Sequence, residues 1–177
     1  HHPVDRRPPS ARRGTHLPEQ DRKDIRRNIQ AGANRLISMQ CDDGGFAYWA
    51  GGDESEPWAS AYGGMALLLC RESGADVPAS VLEELCGYLS DQLRGIATSK
   101  DWWDIETACR SCFTLALAGD PQVAYHNKFL EDPGRLTPNA LNFLSLAVAK
   151  SGAERAAEQA REILALKGTA KKRGGHF

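Results

Sequence analysis

Long apolar runs are missing from this 177-residue chain. The longest, Met65 to Cys70, is far short of the roughly 20 residues that a membrane-spanning helix needs. An excess of one charge is missing too: 22 Lys and Arg stand against 23 Asp and Glu, for a net charge of −1. No global field therefore draws the protein to nucleic acid or anionic lipid, and no direct membrane insertion is expected. Cysteines are few and odd in number (Cys41, Cys70, Cys86, Cys109 and Cys112). Four fall in helical patterns among Leu and Ala and read as small buried hydrophobes, not as a disulfide framework. The C-x-x-C pair Cys109/Cys112 has no second pair and no His at ligand spacing, so core packing outweighs metal or redox chemistry. The basic stretch at residues 1–17 lacks an apolar segment of signal-peptide type and reads as a flexible linker or tag remnant.

What remains is the patterning of a helical domain over 18–177. Ile25, Ile29, Ala33 and Leu36 form one stripe of an amphipathic helix that starts after Pro18 and stops near Gln40. From Pro57 to about Arg71 the chain is apolar almost all round, as an inner helix would be. Helices follow from Pro78 to about Leu93 (stripe Val81, Leu85, Tyr88, Leu89), from Trp102 to Ala118, after Asp120-Pro121, from Thr137-Pro138 to about Lys150, and from Ala153 to about Leu166. Pro57, Pro78, Pro121 and Pro138 are read as first helical residues, where the missing N–H costs nothing. Asp132-Pro133-Gly134 reads as a turn.

A weak repeat organises these elements. Three apolar, Ala/Leu-rich helices end at Gly74, Gly119 and Gly152, spaced 45 and then 33 residues apart, and each is followed by a more polar helix. The unit is an inner plus an outer helix, and uneven spacing places the insertions in loops. The fold class expected is all-α, helical hairpins forming an α/α toroid, with a short β-hairpin-like loop around 44–50.

Residues 36–62 are the most informative. Gly44-Gly45 supply backbone freedom for a turn, and Phe46, Tyr48 and Trp49 are placed to pack as a short hairpin across the helix ends. Gln40, the two glycines and Phe46 resemble the Gln-Gly-aromatic repeat of terpene cyclases. There the Gln side chain bonds to the backbone of the next helix start and clamps hairpins together, a feature of fold more than of activity.

A second resemblance is more specific. Gln40 to Trp49, Q-x-x-D-G-G-F-x-x-W, followed by P-W-x-S-A-Y at Pro57 to Tyr62, resembles the thioester domain of bacterial alpha-2-macroglobulin-like proteins. The G-x-x-V-P connection at Gly74 to Pro78, the helices at 113–119 and 136–152, and Gly175-His176-Phe177 extend the likeness over about residues 20–177. The resemblance implies an α/α toroid in a bacterial protease-trapping or surface-defence protein. Its reactive element is an internal Cys-Gln thioester in a C-x-E-Q motif, whose cleavage lets the acyl group couple to a nucleophile. The E-Q pairs here, Glu19-Gln20 and Glu158-Gln159, have no Cys three residues before the Gln. The expectation is a fragment starting after the motif or a thioester-less variant, with about half a toroid present and no catalytic, thioester or cofactor residue in the chain. Partners implied are the other domains of the parent and, through it, target proteases; the implied location is periplasmic, cell-surface or extracellular.

Other features read as structural. Asp42, Asp43, Asp53, Glu54 and Glu56 miss the EF-hand spacing and read as a solvated acidic loop. Asp101 and Asp104 stand where an N-cap and an N3 acid complement a helix dipole, with Trp102 and Trp103 packing on the preceding loop. His126 has no partner at catalytic spacing. Trp58 and Tyr62, one turn apart, read as core before platform. Trp49, Trp58, Tyr62, Trp102 and Trp103 are nonetheless the residues from which an interaction surface would be made. Two other functions compete: a terpene-cyclase or prenyltransferase toroid, whose D-x-D-D acid motif or zinc ligands are absent, and a helical-repeat scaffold binding peptide or polysaccharide.

Overall fold

A computed structural model describes residues 18–166. The expectations for residues 1–17 and for Gly175-His176-Phe177 lie outside the described residues. Among these, seven α-helices follow one another: α1 (Glu19–Ile37), α2 (Pro57–Glu72), α3 (Ala79–Ile96), α4 (Trp102–Ala118), α5 (Val123–Leu130), α6 (Pro138–Lys150) and α7 (Ala156–Ala165). The fold is all-α, in two layers: α2, α4 and α6 pack side by side, and α1, α3, α5 and α7 lie against them from outside. None of these helices is long and apolar enough to cross a membrane.

Burial follows the sequence pattern. Helix α4 is buried without interruption from Ile105 to Cys112, because it is flanked by α2, α3 and α6. In α3 the buried set is Val81, Leu82, Leu85, Tyr88, Leu89 and Leu93, on one face. Close approach of the α1–α2 loop and of α3 to α2 depends on Gly63 and Gly64. A Cβ on Gly63 would lie 2.7 Å from the Phe46 ring, and one on Gly64 would lie 2.7 Å from Leu85 Cδ2. Thr114 Oγ1 in α4 donates to the Ala61 carbonyl in α2 at 2.8 Å, which satisfies a buried hydroxyl and ties the two helices. All five cysteines are free, and Cys41, Cys109 and Cys112 are buried.

Several sequence expectations need correction. The α1 stripe is shallow: Ala33 is its one buried residue, while Ile25 is exposed, because α1 lies at the edge of the array and packs mainly on α2. Pro57 and Pro138 are first helical residues, but Pro78 is the N-cap of α3, and α5 starts only at Val123, two residues after Pro121. Asp132-Pro133-Gly134 does make a turn, of 3-10 type over Pro133–Arg135, but α7 begins at Ala156 instead of Ala153.

The hairpin-like loop is also displaced. Its antiparallel bridge pairs Gln40 with Phe46, and backbone bonds run from Cys41 N to Gly45 O (2.8 Å) and from Ala47 N to Met39 O (2.9 Å). The paired arms are thus 39–41 and 45–47, with no regular strand among the described residues. Phe46 is buried against α2, whereas Tyr48 and Trp49 point to solvent. The turn needs Gly44, whose φ is +86° and whose Cβ would collide with the Glu84 backbone.

Candidate interaction surface

The three inner helices start at the same end of the layer. Glu106, in the second turn of α4, accepts hydrogen bonds from Thr137 Oγ1 (2.7 Å) and Asn139 Nδ2 at the start of α6. On the other side Trp103 of α4 stacks on Trp58 of α2, with centroids 6.0 Å apart and planes 15° from parallel. The chain builds this end from helix starts that are capped locally. Asp101 Oδ1 accepts from Trp103 N at 2.7 Å, as an N-cap should, and Thr137 Oγ1 accepts from Ala140 N at 3.0 Å.

On that end lies a ladder of rings. Tyr62 stacks on Trp58 one helical turn before it (5.5 Å, 2°), and Trp102 meets Trp103 edge to face (5.5 Å, 86°). Trp102 and Trp103 are each 44% exposed, and Trp103 lies between Trp58 and Trp102. Tyr62 is not core either, being 50% exposed.

Behind the rings sits a charge. The Arg110 guanidinium is buried, 5.1 Å from the Trp58 ring, 5.8 Å from Tyr62 and 4.6 Å from Phe143 of α6. Its one carboxylate neighbour among the described residues, Glu106, is 3.9 Å away, beyond hydrogen-bond range. Nε and Nη1 have no hydrogen-bond partner, so the ring faces stand in for oxygen acceptors. Burial pulls the Arg110 pKa below its ordinary value, and Glu106 pushes it back up. Arg110 and Phe143 are residues that the sequence reading missed. The available signal was a Glu and an Arg spaced i,i+4 inside an otherwise apolar helix.

Of the five aromatic residues singled out from the sequence, the fold therefore unites four. Trp49 stands apart, beside Tyr48 in the 47–52 turn, with ring centroids 6.2 Å apart. The remaining candidates carry no assembled chemistry. His126 is buried, its Nε2 unpartnered, and burial lowers its pKa. Cys109 and Cys112 are both buried; burial raises Cys109 well above its ordinary value and pushes Cys112 up to about 12, which leaves them protonated and inert. No group of three or more His, Cys, Asp or Glu among the described residues is placed to hold a metal ion.

Gln40 makes the clamp that its position implies. Its Nε2 donates to Gly44 O (3.1 Å) and to Val81 O (2.9 Å), so the α1–α2 loop is fastened to the first turn of α3.

Comparison with known proteins gives a consistent result. No protein-family model matches the chain. Among curated proteins, it is similar to alpha-2-macroglobulin of Escherichia coli, 37% identical over 70 residues, which is 37% of this chain and 4% of that protein. Among solved structures, it is similar to native E. coli alpha-2-macroglobulin from domain MG7 to the C-terminus, with TM-score 0.74 and 21% identity, covering 87% of this chain and 25% of that one. It is likewise similar to Salmonella alpha-2-macroglobulin reacted with methylamine (TM-score 0.72, 22% identity, 89% of this chain, 11% of that one). The resemblance first seen in Gln40 to Pro78 is thus a resemblance to bacterial alpha-2-macroglobulins. The chain spans a small part of the length of each.

Proposed function

We propose that the chain is the scaffold part of the thioester domain of an alpha-2-macroglobulin-like, protease-trapping protein, a piece of an α/α toroid that performs no catalysis itself. The observation that carries this reading is the match of 87% of the chain to the MG7-to-C-terminus structure at TM-score 0.74. Supporting it are the Q-x-x-D-G-G-F segment at Gln40 to Phe46 and the clamp it makes on Val81. In this reading the thioester is supplied elsewhere in the parent, and the parent inhibits endopeptidases from the periplasm, the cell surface or outside the cell.

The aromatic ladder has a role in the same reading. Trp58, Tyr62, Trp102 and Trp103 form an exposed, ring-rich end of the inner layer, of the kind that packs against a neighbouring domain. We assign it as the contact with the rest of the parent protein.

The test uses the full-length gene product that contains this chain. Its intact mass is measured before and after methylamine, with free thiol titrated in parallel. One added amine with one released thiol is the expected result. An unchanged mass would remove the thioester from the proposal. Gel filtration after addition of trypsin tests the trap itself: trypsin eluting wholly apart from the parent would sink it.

A further inference from the structure

The turn between the hairpin-like loop and α2 carries two large rings that the fold does not use. Tyr48 is 51% and Trp49 66% exposed, and among the described residues the only ring either meets is the other. The turn is held in place: Ala47 N bonds to Met39 O, Gly52 N to Trp49 O at 3.2 Å, and Glu56 N to Phe46 O at 2.9 Å. Exposing two aromatic residues on an ordered turn forgoes burial worth keeping, and such residues are the usual anchors of protein interfaces.

Their surroundings identify the occupant. Tyr48 and Trp49 line a shallow depression of about 140 Å³ together with Asp53, Glu54 and Glu56. Asp42 and Asp43 flank the adjoining hollow that Asp53 shares. Of these carboxylates only Asp43 is engaged by side-chain hydrogen bonding, to Ser55 and to Gly45 N, and none has an ion pair with a Lys or Arg among the described residues. A nearly neutral chain has thus gathered uncompensated negative charge around two open π faces. Those are the two features that attract an ammonium or guanidinium group.

We propose that this depression is a docking site for a lysine- or arginine-bearing protein segment, the cationic head lying on the Trp49 or Tyr48 ring and bonding to Asp53 and Glu54. The site lies apart from the aromatic ladder and does not depend on the parent being a protease trap.

The experiment follows the Trp49 indole N–H resonance of the 177-residue chain, assigned by its loss in Trp49→Ala. The probes are a blocked peptide alternating lysine with glycine, its glutamate counterpart, and Ca²⁺ alone. The lysine peptide should shift the indole resonance saturably, and its affinity should fall as salt is raised. Asp53→Asn combined with Glu54→Gln should weaken binding about fivefold or more, as should Trp49→Ala, whereas Leu146→Ala, at an exposed position of α6, should leave it unchanged. Absence of any shift at millimolar lysine peptide would overturn the proposal. So would an equal response to the glutamate peptide, which would mark a merely apolar surface, or binding that survives both variants. A response to Ca²⁺ alone, with none to peptide, would replace it with a cation site.

Discussion

The side-chain amide of Gln40 reaches the carbonyl of Val81, 41 residues further along the chain, at 2.9 Å. It couples the loop of the first hairpin to the start of the next outer helix, and its second bond, to Gly44 O, holds the turn that makes this possible. Gln40→Leu keeps the size and removes both bonds, leaving two partly buried carbonyls less well satisfied. A loss of about 1–3 kcal/mol is expected in urea denaturation. An unchanged midpoint would mean that the clamp is incidental.

Gly44 should tolerate no side chain. Gly44→Ala combines a φ of +86° with collision against the Glu84 backbone, two costs that no rotamer relieves. The variant should lose about 2–4 kcal/mol. Gly51→Ala shares the positive φ but has open space around it, and should lose about 1 kcal/mol. Equal losses would show that conformation alone, without the contact, decides the site.

Arg110 and Glu106 illustrate how a buried charge depends on its partner. Glu106→Leu leaves the guanidinium among Trp58, Tyr62 and Phe143 with no carboxylate nearby, and should cost about 3–5 kcal/mol. Replacing both, Glu106→Leu with Arg110→Met, should recover the part of that loss due to the stranded guanidinium, while Thr137 Oγ1 and Asn139 Nδ2 still lack their acceptor. A double variant no more stable than Glu106→Leu alone would contradict the account.

His126 makes stability depend on pH. Burial holds its folded-state pKa below the unfolded value of 6.5, so the unfolded chain binds the proton more readily. The stabilisation is complete above that value and is lost as pH falls toward the folded pKa. Between pH 7.5 and 5.5 the native chain should therefore lose more stability than His126→Gln, measured by chemical denaturation at each pH. Parallel curves would show that His126 titrates alike in both states.

Thiol labelling should sort the cysteines by depth. Cys70 and Cys86 are half-buried and should react with an aromatic disulfide reagent in the native state. Cys109 and Cys112, held protonated in the core, should react only in denaturant. Fast native labelling of Cys109 or Cys112 would argue for opening of α4.

Much of the fold was legible because it depends on local rules. The apolar girth of residues 57–71 identified an inner helix, the 81/85/88/89 stripe identified an outer one, and Gly119 ended α4 where its φ of +94° requires. Helix ends were less legible. Pro78 and Pro121 suit several positions near a helix start, and which one they occupy is decided by how the preceding loop packs. The candidate surface was legible only as a set of residues. Trp58, Tyr62, Trp102 and Trp103 were singled out as large aromatics, but their assembly spans 41 and 45 positions of sequence, from Tyr62 to Trp103 and from Trp58 to Trp103.

By itself the sequence determined the all-α class, the alternation of inner and outer helices, and the resemblance carried by Gln40 to Pro78. Those properties reside in periodicity, capping and short motifs, which act within a turn or two of the chain. Only the tertiary structure decided that Gln40 clamps α3, that Arg110 is caged by rings from two other helices, and that Trp49 is left outside the ladder. Each of these depends on which helix faces meet across the layers, and burial energy summed over many distant pairs settles that, without a signature in any single stretch.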